Sequence, residues 1–61
     1  MNELIFNYAL VKSDEYFTGV IKNGEPVTGE KHRAYTMTAF AAFDKLDNDP
    51  RYKGFTAVRV I

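Results

Sequence analysis

The sequence has no cysteine, one histidine, one serine and only two prolines, and its charges cancel. Without cysteine, disulfides and thiolate metal sites are excluded, and the chain suits a reducing, cytoplasmic setting. Eight Lys and Arg balance eight Asp and Glu. Non-specific nucleic-acid binders carry a basic excess, because phosphate contacts supply most of that affinity. Nucleic acid is therefore a disfavoured partner. No run approaches the roughly 20 apolar residues that span a bilayer, so no membrane partner is expected. Met1-Asn2-Glu3 is not a basic start and Asn7 breaks the apolar run 4–11, so no signal peptide is expected.

Chemistry-bearing constellations are missing too. A Ser-His-Asp arrangement would need Ser13, in a turn, to meet His32, which sits in a small basic cluster between Lys31 and Arg33. Asp47-Asn48-Asp49 matches the start of a calcium loop, but Pro50 and Arg51 break the pattern and no acidic twelfth ligand follows. Helix solubility and helix stopping explain these aspartates. The four glycines lie far apart and form no phosphate-binding loop. No catalytic residue, cofactor or metal is expected, and the chain reads as a non-enzymatic binding protein.

What is present is apolar and aromatic surface: 46% hydrophobic and 15% aromatic residues in 61 positions, too apolar for a disordered chain. The length allows a single domain, 1–61, that buries only about 60% of its unfolded surface. Chains below roughly 70–80 residues usually need a staple or a partner. Residues 3–11 read as a first strand, with Leu4, Phe6, Tyr8 and Leu10 on one side. Lys12-Ser13-Asp14 turns the chain into a second strand at Glu15–Lys22, where Gly19 suggests a bulge. Asn23-Gly24 is a type I′ hairpin signal. The return is ambiguous: Pro26 and Gly29 interrupt residues 25–29, so a third strand is placed at residues 31–37, on a sheet edge. Thr38 is positioned to cap a helix running from Ala39 to the Asn48-Asp49-Pro50 stop. Ala39, Ala42, Phe43 and Leu46 form its buried stripe, widened by Phe40. Residues 51–54 are a loop and residues 55–61 a last strand.

The expected fold is α+β, a single antiparallel-rich sheet of three to four strands with one helix on one face. The order is β-β-β-α-β, or β-β-α-β if residues 25–37 are mostly loop. One helix about 10 Å across covers one face. Yet the first and last strands are largely apolar on both sides, where a wet face would alternate with polar residues. The uncovered face is therefore expected to bind a partner or close a homodimer. The residues at stake are Arg59 and Phe55 on the last strand and Tyr16 or Phe17 on the second. The rim at residues 31–35, with Arg33 and Tyr35, offers strand addition as another route. A sheet bearing aromatics with nearby Lys and Arg also suits single-stranded nucleic acid, which is the alternative class.

The run Y-T-M-T-A-F-A-A-F-D-K-L from Tyr35, followed by G-F-T-A-V-R-V at residues 54–60, resembles the small RNA-polymerase inhibitors of T-seven-type phages. The similarity spans roughly residues 15–61. It implies a phage-encoded host-takeover inhibitor that binds a bacterial host protein: the polymerase, another host enzyme or a defence complex. In that family, arginines on the closing strand contact the polymerase. Arg59 matches the first; Ile61 stands at the second, the family's basic tail is missing, and the strand at residues 3–11 has no counterpart.

Overall fold

A computed structural model describes residues 5–61. The chain runs β1 (Tyr8–Lys12), β2 (Glu15–Lys22), β3 (Glu25–Gly29), α1 (Ala39–Asn48) and β4 (Thr56–Arg59). Single 3-10 turns at Lys31–Arg33 and Pro50–Tyr52 flank the helix. The strands form one antiparallel sheet in the order β3-β2-β1-β4, with the helix against β1 and β4. The α+β class stands. Of the first expected strand, Glu3 and Leu4 lie outside the described residues, and regular pairing begins at Tyr8.

Both hairpins close through two residues with positive φ, the geometry whose twist matches the flanking strands. Asn23 and Gly24 have φ 54° and 78°. Ser13 and Asp14 have φ 52° and 66°, conformations that non-glycine residues adopt at a cost. The third strand requires correction. It lies at Glu25–Gly29, directly on the return from Asn23-Gly24, and not at residues 31–37. Pro26 is tolerated because it pairs with Ile21 one step beyond the turn-adjacent pair Lys22–Glu25. At that non-hydrogen-bonded position a backbone N–H would face the open edge, so none is lost. Residues 35–37 are not on an edge either. They fill the gap where β1 and β2 diverge: Tyr8 and Met37 exchange backbone hydrogen bonds of 2.9 and 2.8 Å, and the Tyr35 N–H donates to the Phe17 carbonyl.

Tyr35, in the inserted segment, packs close to Gly19 of β2. The β2–β3 register shifts between Phe17 and Ile21, and Gly19 there has φ 87°. A Cβ at this position would lie 2.8 Å from the Tyr35 ring. Gly19→Ala is therefore expected to destabilise the fold by about 1–3 kcal/mol, combining left-handed strain with displacement of the ring. A fall in the urea midpoint checks this; an unchanged midpoint contradicts it.

The core lies between the helix and one sheet face: Leu10, Phe17, Met37, Ala42 and Tyr52 are buried, with Tyr8, Ala41, Leu46, Phe55 and Ala57 packed around them. Phe17 and Tyr52 meet edge to face at 5.3 Å. Thr38 caps the helix as expected, its Oγ1 accepting the Ala41 N–H at 3.1 Å. At the other end the Asp49 carboxylate accepts the Arg51 backbone N–H at 3.0 Å and forms a two-pronged pair with its guanidinium, the shortest contact 2.7 Å. The side-chain bonds from Arg51, and then its backbone N–H, hold the Asp49 pKa below the ordinary carboxylate value. This contribution to stability is complete above the unfolded carboxylate pKa of about 4 and is lost as pH falls through the lower folded value. Asp49→Asn is expected to flatten the acid limb of a stability-versus-pH curve below about pH 4. An identical acid limb in the variant would contradict that role.

Candidate interaction surface

The helix is rotated from its expected orientation. Ala42 is buried, and Ala41 and Leu46 flank it, while Phe43 is 48% exposed and Phe40 82% exposed. The cause is steric. The sheet beneath supplies large side chains, Leu10, Phe17, Tyr8 and Phe55, and Tyr52 adds another ring. The two alanines let the helix approach over these bulky groups, so the phenylalanines turn outward. Phe43 keeps a shoulder contact with Tyr8, ring centroids 5.8 Å apart. Phe40 has none of the ring pairings found among the described residues.

Phe40, Phe43, Asp44 and Asp47 stand at i, i+3, i+4 and i+7, one stripe on the outer side of the helix. With Ala39 and Asn48 they line a shallow open depression of about 430 Å³. Its upper half is aromatic and its lower half acidic. The Asp44 carboxylate accepts a bond from the Asn48 amide at 2.8 Å. The helix's one lysine, Lys45, points away from the stripe, its Nζ 5.9 Å from the Tyr52 ring.

The residues expected to form a binding face are not brought together. Phe17 is 2% exposed and Phe55 packs against the core, its ring 5.7 Å from Tyr52 and beneath Lys12 Nζ at 5.6 Å. Neither has surface to offer in quantity. Tyr16 pairs with Val11 and so lies on the opposite sheet face. Arg59 is exposed at the β4 edge, its Nε donating to the Ile61 carbonyl at 3.0 Å. Arg33 and Tyr35 are exposed in the connection before the helix, Arg33 near Gly29 and Tyr35 against Gly19.

The uncovered sheet face is also drier than expected. Ala9 is fully buried, and Val11, Tyr16 and Val58 are half-buried. The face is not fully dry, since Val20 of β2 is 52% exposed. Nor does it carry a row of aromatics for stacking bases, since Tyr8, Phe17 and Phe55 belong to the helix side.

Among the described residues no group of three or more His, Cys, Asp or Glu is placed to hold a metal ion. No helix there is long and apolar enough to cross a membrane. Comparison with protein-family models, curated proteins and solved structures finds no match to this chain.

Proposed function

We propose that this chain is a small non-enzymatic protein-binding module that blocks a bacterial host protein, and that α1 presents its contact surface. The observation that carries this is the outer stripe Phe40-Phe43-Asp44-Asp47, with Phe40 82% exposed. Exposing a phenylalanine to this extent in a 61-residue domain forgoes apolar burial that such a domain can ill spare. A helix offering apolar anchors at i and i+3 is the form that inserts into a groove on a larger protein. The aspartates at i+4 and i+7 define the chemistry of that groove: apolar at one end, rimmed by Lys or Arg at the other.

The resemblance of residues 35–60 to phage RNA-polymerase inhibitors supports the polymerase as first candidate, with Arg59 as an accessory contact. The test is capture from bacterial lysate by immobilised wild type, Arg59→Ala and Phe40→Asp, followed by titration of purified polymerase. Proteins retained by wild type and lost with Phe40→Asp support the reading. Equal recovery on wild type and Phe40→Asp contradicts it.

A further inference from the structure

The two edges of the sheet differ. The β3 edge is blunted by Glu25, Pro26 and Gly29. The β4 edge is less protected: residues 55–61 read Phe-Thr-Ala-Val-Arg-Val-Ile, without Pro or Gly and with Arg59 as the one charge. Its hydrogen-bonding phase is fixed by the Val60 N–H, which donates to the Asn7 carbonyl at 2.8 Å. In an antiparallel ladder the residues that face the partner alternate. Thr56, Val58 and Val60 therefore face β1, opposite Val11, Ala9 and Asn7. Ala57 and Arg59 point their N–H and C=O groups toward the open edge.

We propose that a second copy of this chain pairs with it along β4, antiparallel, around a two-fold axis at Val58. Each Ala57 then exchanges both backbone bonds with Arg59 of the second copy, and the two sheets become one. Val58 faces its own counterpart across the axis in the close, non-hydrogen-bonded position, and Thr56 faces Val60. β-branched residues pair well at such positions.

Neighbouring registers are worse for reasons visible in the chain. Shifting the axis to Ala57 sets Arg59 opposite Phe55, whose N–H is already donated to the Tyr52 carbonyl at 3.0 Å. Shifting it to Arg59 places two guanidinium groups directly opposite, a repulsive pair. A one-residue slip opposes inward-facing groups to outward-facing ones. The edge is thus self-complementary in one register. A short chain without disulfides gains from such association the burial that it lacks. The helix stripe is not part of this contact; the two readings share only Arg59, the accessory host contact, which lies in β4.

Amide hydrogen exchange of the wild type, at low micromolar and at millimolar concentration beside sedimentation equilibrium, tests it. The expected result is a dimer at high concentration in which the Ala57 and Arg59 amides exchange at least about tenfold more slowly, while the already bonded Val58 changes little. Val58→Glu and Val58→Lys should each be monomeric, and an equimolar mixture should restore the dimer. A chain that stays monomeric at millimolar concentration, or a dimer whose Ala57 and Arg59 amides exchange as in the monomer, overturns the proposal.

Discussion

Leu10→Ala is expected to cost about 2–5 kcal/mol and to lower Tm by roughly 10–30 °C. Among the described residues Leu10 is the largest side chain that is completely buried, and it sits in β1 beside Ala57 of β4. Shortening it leaves a hole in the cluster that Leu10 forms with Phe17, Met37, Ala42 and Tyr52. For a domain of this size total stability is on the order of 3–9 kcal/mol, so one substitution removes a large share of it. Thermal unfolding by circular dichroism reads the effect. A Tm within a few degrees of wild type would mean that the core does not centre on Leu10.

Phe40→Asp is expected to behave in the opposite way: no more than about 0.5 kcal/mol in stability, because the ring is mostly in water, but a large loss of partner affinity. An aromatic anchor seated in a groove typically contributes 2–4 kcal/mol, a 30- to 1000-fold change in Kd at 25 °C. The substitution leaves Phe43 and both aspartates of the stripe in place and removes its most exposed ring. Phe43→Ala is a less clean probe, since Phe43 also packs against Tyr8 and its loss affects the fold.

The sequence carried the local devices well, because each has a short-range cause. Asn23-Gly24 demands a tight turn, Thr38 offers an oxygen to the first free amides of a helix, Gly19 permits a bulge, and Asp49-Pro50 ends the helix. The strand at Glu25–Gly29 was obscured because Pro26 and Gly29 are read as breakers in an interior strand, yet on an edge their defects face solvent. The insertion of residues 35–37 between β1 and β2 depends on a long-range divergence that no local pattern encodes.

The helix illustrates a sharper ambiguity. Ala39, Ala42, Phe43 and Leu46 share the same spacing as Phe40, Phe43, Asp44 and Asp47, one residue around. Hydrophobicity alone favours burying the rings. What decides between them is the volume already present beneath the helix, where Leu10, Phe17, Tyr52 and Phe55 favour Ala41, Ala42 and Leu46 over the rings. The signal that could have found the exposed stripe was the pairing of Ala41 with Ala42, small residues that mark close approach. The same crowding moved Phe17 and Phe55 out of the candidate surface, since the strand positions that looked like an open face are the ones beneath the helix.

Affinity of a host partner for the wild type and for Phe40→Asp, each shown to be folded by its Tm, is the most direct measurement. A drop of at least about thirtyfold with Tm unchanged is the predicted result. Equal affinity of the two folded proteins for that partner would show that the outward phenylalanine is not a contact.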